Sequence, residues 1–224
     1  METSDFAKLS SSAIAGLTTT QSAALTADQI GAMSTAQFKA IEAADMAKVS
    51  TVAIAGVTTA QASVLTATQA AGLTSTQLAK MDPEDVQQFS TAVIAGLTAD
   101  QLNGLTADQL SGLTTLQVSK LVASQLASLD STQLQALTTL QASVLTAAQM
   151  ASLDSSQIGK LEADDMAKLS TGVIAALTDA QIDGLTAQQI IDLTTAQVAA
   201  LTASQVAGLS GGQIAAKETS DSAK

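Results

Sequence analysis

Leu25-Thr26-Ala27-Asp28-Gln29-Ile30-Gly31-Ala32 is one copy of a motif that fills the whole chain. An apolar residue returns every eighth position from Met1 to Leu209 without a slip, so the 224 residues divide into 28 octads. The consensus is Leu at position 1, Thr or Ser at 2, small or polar residues at 3 and 4, Gln at 5, Ile/Leu/Val/Met at 6, and small residues at 7 and 8. A period this short marks an array of one small unit, each copy burying its apolar face only against its neighbours.

Position 2 is Thr, Ser or Asp in 23 of 28 octads, and position 5 is Gln in 19 and Asp in five. That spacing predicts a repeated capping box, in which the N-cap side chain accepts from the N3 amide while the N3 side chain reaches back to the N-cap amide. Positions 1 and 6 then become N′ and N4, the two members of a hydrophobic staple, and position 1 is apolar in 27 of 28 copies. The predicted unit is a helix of about one and a half turns, ended by a sharp bend. Gly at position 8 in eight copies (Gly16, Gly56, Gly72, Gly96, Gly104, Gly112, Gly184 and Gly208) is expected to supply either a positive φ or a close approach there.

One continuous helix does not fit this pattern. An eight-residue repeat advances about 800° around a helix, so the leucines drift by roughly 80° per copy and spiral around the rod. A strand fits little better: positions 1 and 6 fall on opposite faces, and Ala, Gln and Asp are poor strand formers. A β-solenoid is the weaker alternative, since period-2 alternation is absent.

Charge supports the helical phase independently. Eighteen of the 20 acidic residues lie at positions 2 to 5, all but Asp183 and Asp192, and seven of nine lysines lie at position 8. Acid at a helix start and base at its end suits the backbone dipole. So short a helix is unstable alone. The expected fold is therefore an all-α solenoid of 28 short helices, with positions 1 and 6 inside and positions 3, 4 and 7 facing out. Small residues at position 6, Ala62 and Ala142, are followed by Val64 and Val144, which keeps apolar volume roughly constant, whereas Ser22 and Ala70 lack that compensation.

The chain reads as a single domain over 1–224: an N-terminal octad 1–8, core repeats 9–216 and a polar cap 217–224. The final octad copies the first, except that Lys217 stands where Met1 stood and Ser222 where Phe6 stood. Both changes remove core residues, as an end cap requires. The array is either capped naturally or trimmed and capped at an engineered boundary. A second period of five octads overlies the first. The octads of Met1, Ile41, Met81 and Leu161 carry acid at position 2 and Asp at position 5, and each is followed by an octad with Ala13, Ala53, Val93 or Val173 at position 5. This is either a 40-residue duplication unit or the interval at which a residue returns to the same face of the superhelix.

Composition excludes much chemistry. The chain has no Cys, His, Trp, Tyr or Arg, only three aromatics (Phe6, Phe38, Phe89) and a single proline, Pro83. Disulfides, thiolates, and imidazole ligands or bases are absent. A net charge of −11 with dispersed lysines argues against nucleic acid and anionic membrane. No apolar run is long enough to span a bilayer, and Met1 to Phe6 carry neither the basic start nor the apolar core of a signal peptide. The carboxylate groups Asp164/Asp165 and Asp82/Glu84/Asp85 match no calcium-loop spacing and are expected to be helix-start acids. Hydroxyls lack a base to activate them, so no catalytic, cofactor-binding or metal residue is expected. Lines of Thr could match an ice lattice, but here they are expected to be committed as N-caps.

Leu105-Thr106-Ala107-Asp108-Gln109-Leu110 and Leu193-Thr194-Thr195-Ala196-Gln197-Val198 resemble the Leu-Thr-x-x-Gln-apolar arrays of very large, acidic bacterial surface or secreted proteins, often called adhesin-like or haemolysin-like. The resemblance covers the whole chain. It implies an extracellular stalk or spacer, or a self-assembling surface element, with no cofactor. The alternative is a protein-binding scaffold.

Overall fold

A computed structural model describes residues 1–222, with side chains described through Glu218. Twenty-seven helices and no strand occur among the described residues, from α1 (Thr3–Phe6) to α27 (Gly211–Ser222). Helix αn begins at position 3 of the nth octad, and α1 to α26 are four to six residues long.

Each element follows from the octad's chemistry. Thr106 is extended at φ −70°, ψ 161°, and its hydroxyl accepts from Gln109 N while Gln109 Oε1 accepts from Thr106 N at 2.8 Å. The same reciprocal pair recurs from Thr18/Gln21 to Thr202/Gln205, with Asp130 and Asp154 substituting for the hydroxyl. Val122 cannot accept, so α16 (Ala123–Ala127) keeps only the Gln125 half of the exchange, at 2.8 Å to Val122 N.

Of the two roles expected of the position-8 glycines, close approach occurs at Gly56, Gly72 and Gly184, and positive φ does not occur. No described residue has a positive φ, glycine included. Instead positions 1 and 2 are both extended: Leu97 stands at φ −63°, ψ 139°, and Thr98 follows at φ −68°, ψ 162°. Burial of the position-1 side chain draws the chain into this shape, and the next N-cap fixes it. Glycine serves close approach. A Cβ on Gly184 would lie 2.5 Å from Ser155 O, and one on Gly56 or Gly72 would meet the backbone of Ala27 or Ala43.

The last helix departs from the one-helix-per-octad pattern. α27 spans 12 residues and carries octads 27 and 28 through without a bend. Lys217 replaces the apolar position-1 residue that elsewhere turns inward, so nothing draws the chain out of the helix. Ser222 and the end of the polar cap lie outside the described side chains.

The chain divides into two compact units, Met1–Lys120 and Leu121–Lys224, and the boundary falls at the edge of an octad. Within each unit the helices wind as a solenoid, and a helix packs against the third one along: α1 on α4 (Ala27–Ala32), α11 (Pro83–Gln87) on α14 (Ala107–Ser111), and α21 (Ala163–Met166) on α24 (Ala187–Asp192). Positions 6 and 1 form the interior: Leu78, Leu102 and Leu110 are fully buried, and Leu97, Leu105 and Leu113 nearly so. Each contributes about 1.5–3 kcal/mol of apolar burial, which no isolated five-residue helix could gain. Ala62 and Ala142 are buried with Val64 and Val144 half-buried beside them. Ser22 is also buried, and its hydroxyl has no partner.

Candidate functional site

Position 5 is where the octad does more than cap its own helix. Gln109 is 1% exposed. Its Oε1 is used by the N-cap, which leaves two Nε2 protons with no partner in its own octad. They reach to the preceding turn, donating to Leu78 O at 2.8 Å and to Met81 O at 2.6 Å. Gln101 donates likewise to Ala70 O and Leu73 O, Gln181 to Met150 O and Leu153 O, and Gln197 to Met166 O and Leu169 O. These acceptors lie 31 and 28 residues back.

The position-6 carbonyl already accepts from the next position-1 N–H, as Leu78 O does from Met81 N at 3.1 Å, and the glutamine adds a second donor to it, whereas the position-1 carbonyl lies in the bend beyond the backbone bonds of the short helix. One glutamine therefore closes the start of its own helix and the end of a helix one turn earlier. Acceptors 28 and 31 residues back correspond to about three and a half octads per turn, consistent with packing on the third helix along and bonding towards the end of the fourth. This interval corrects the face-return reading of the 40-residue period, because five octads do not complete a whole number of turns.

The ladder was missed by the sequence argument, although a signal was present. Glu serves a capping box as well as Gln, yet position 5 never carries Glu. A site that takes the amide in 19 of 28 copies and never the isosteric acid needs N–H donors as well as an oxygen.

The carboxylate groups singled out in the sequence do not converge. Asp164 is exposed at position 4, whereas Asp165 turns inward at position 5 and is 2% exposed. Asp82 and Glu84 are exposed while Asp85 is 4% exposed. No three acidic side chains gather in a metal-binding arrangement among the described residues. Burial pushes the Asp85 carboxyl up to about 6, with the negative charges of Asp82 and Glu84 adding to the rise. Asp165 is raised to about 6 by burial first, then by Glu162 and Asp164. Its Oδ2 is buried without a partner.

The threonine hydroxyls are turned to their own helices. Thr66, Thr114 and Thr194 donate to the glutamine Oε1 at 3.0–3.2 Å while accepting from its backbone N–H. Exposed large apolar side chains include Val52, Leu116 and Leu140, all at position 4. A shallow apolar groove in the second unit is lined by Val198, Leu201, Val206, Leu209 and Ile214. Lys217 lies at its edge, with Nζ donating to Ile191 O at 2.9 Å and Leu193 O at 2.8 Å. The lysine thus supplies donors to the end of α24 much as glutamines do elsewhere. No helix among the described residues is long and apolar enough to cross a membrane.

Short capped helices, an apolar interior repeated every octad and an amide ladder between turns define an α-solenoid repeat protein. Three stretches, residues 1–35, 78–115 and 158–195, match the ALTTAQ repeat, and together they cover just under half of the chain. Each matched stretch holds one Asp at position 5 (Asp5, Asp85 or Asp165) followed by an octad with an apolar residue there, and the second and third begin ten octads apart. No curated protein matches the chain.

Proposed function

We propose that this chain is a non-catalytic structural spacer, an extracellular stalk element whose working property is its turn-on-turn cohesion. The observation that supports this most is the amide ladder. The polar side chain most regular in the sequence is spent inside the fold, binding one turn to the next, and not presented to a ligand. Outward positions carry mostly Ala, Thr, Ser and Asp, a surface with little to recognise. The resemblance to bacterial surface arrays suggests the extracellular setting.

The apolar groove beside Lys217 favours a second reading, in which copies associate end to end as a surface fibre. Sedimentation velocity over a range of concentrations separates the two. A spacer remains monomeric throughout, and Lys217→Leu, which removes the donor at the groove and adds apolar surface, promotes association. Filaments formed by the parent chain would replace the spacer reading with assembly.

A further inference from the structure

Three breaks in the amide ladder among the described residues contain a buried aspartate, Asp45, Asp85 and Asp165, and at Asp85 and Asp165 the carboxyl is also raised. The register that sets Gln181 against Met150 O and Leu153 O places Asp165 opposite the carbonyls of Leu134 and Leu137, and Asp85 opposite those of Ile54 and Val57. A carboxylate at this position has no proton to donate and is one methylene shorter than glutamine, so the rung is lost. The next octad loses its rung too, because Val93 and Val173 carry no donor. Each break is therefore two rungs wide, and its one inward ionisable group is an aspartate that faces helix-end carbonyls carrying negative partial charge.

The surroundings provide no compensating charge. α21 packs against α18 (Thr139–Ala142), which has no ionisable residue, and against α24, whose one ionisable residue is Asp192. Beside Asp165 on its own segment are Glu162 and Asp164, with Lys168 exposed one turn on. α11 packs against α8 (Thr59–Ser63), which has none, and against α14, which carries Asp108. Asp82 and Glu84 adjoin Asp85, with exposed Lys80 preceding them. Water does not reach Asp165 Oδ2, and no N–H or O–H meets it.

We propose that Asp85 and Asp165 are proton-operated seams, at which a turn of the solenoid is held tightly when the carboxyl is protonated and loosens when it ionises. Ionisation leaves a buried charge facing carbonyl oxygens, whereas protonation removes that charge and returns a donor to the gap. The raised carboxyls of both residues agree in direction. Since the folded state holds these protons more tightly than the unfolded state, the contribution is full below the ordinary carboxylate range near 3.8 and is lost as pH rises through about 6. The seams thus set where a turn opens first in neutral solution, independently of whether the chain acts as a spacer or a fibre.

The test compares the parent with Asp85→Gln/Asp165→Gln in thermal melts at about pH 4 and about pH 7. The parent's Tm should fall on neutralisation. The glutamine variant should lose most of that fall and melt above the parent at the higher pH, because the amide restores a rung. Asp85→Asn/Asp165→Asn, neutral and of the original size, should also flatten the profile. In the parent itself, amide exchange corrected for its intrinsic pH dependence should show α11 and α21 losing protection relative to α14 and α24 as pH rises. A glutamine variant that keeps the parent's pH profile would overturn the proposal. So would stabilisation of the parent, but not the variant, by calcium at neutral pH, which would make the gap a cation site.

Discussion

Exchanging Gln109 for Glu distinguishes the ladder from simple capping more sharply than any truncation. The acid is isosteric and keeps the oxygen that accepts from Thr106 N at 2.8 Å, but it removes both N–H donors that Leu78 O and Met81 O receive. If the residue only capped its helix, Glu would serve equally well, and its charge at a helix start would favour it by a few tenths of a kcal/mol. The ladder predicts the opposite sign. Two lost hydrogen bonds cost about 1 kcal/mol each, and carbonyls left facing a buried carboxylate add about 1–3 kcal/mol, so Gln109→Glu should destabilise the fold by about 3–5 kcal/mol at neutral pH. Burial raises the new carboxyl above its ordinary value near 4.3, so the destabilisation is complete above the raised value and is relieved as pH falls through it. Urea unfolding followed by far-UV circular dichroism, at neutral and acid pH, measures both features. A variant within about 0.5 kcal/mol of the parent at neutral pH would refute the ladder as a source of cohesion.

Other outcomes follow from the same geometry. Thr106→Ala should cost about 1 kcal/mol by urea unfolding, while Ala107→Ser on the outer face should change little. Gly56→Ala should destabilise because its Cβ meets the Ala27 backbone, whereas Gly211→Ala, in open space on a helix, should be neutral or slightly stabilising in thermal melts. Deleting Leu105 to Gly112 should leave a folded helical chain, because every rung finds an equivalent partner. Deleting Leu105 to Asp108 puts the following core residues out of phase and should lower the Tm much more, and equal melting of the two deletants would contradict the solenoid register.

The helices were legible because their signals are local. The Thr106 and Gln109 spacing, the apolar pair Leu105 and Leu110, and acids gathered at helix starts all act within one octad, so the start of each helix could be read directly. The turn of the solenoid was not legible, because no residue within an octad records which earlier octad it will meet. The signal lay in a choice at position 5, Gln and never Glu, whose meaning emerges only when Leu78 and Met81 are brought beside Gln109. Glycine was legible only in part, for a related reason: close approach was expected, but not the turn it serves. Gly56 and Gly184 permit contact with Ala27 and Ser155 one turn away, a nonlocal need that looks like a local bend in sequence. The roles of Asp85 and Asp165 were hidden in the same way: as helix-start acids they are ordinary, and only the register shows that they interrupt a ladder. Lys217 read as a residue removed from the core, but its ammonium also serves the carbonyls of Ile191 and Leu193.

The most direct measurement is nuclear Overhauser contact from the glutamine side-chain amides in isotope-labelled protein. The Gln109 Nε2 protons should show contacts to the backbone around Leu78 and Met81, 31 and 28 residues earlier, and slow exchange with solvent. The same pattern should recur from Gln181 to Met150 and Leu153. Side-chain amides that exchange freely and show contacts only within their own octad would contradict the amide ladder and the three-and-a-half-octad turn together.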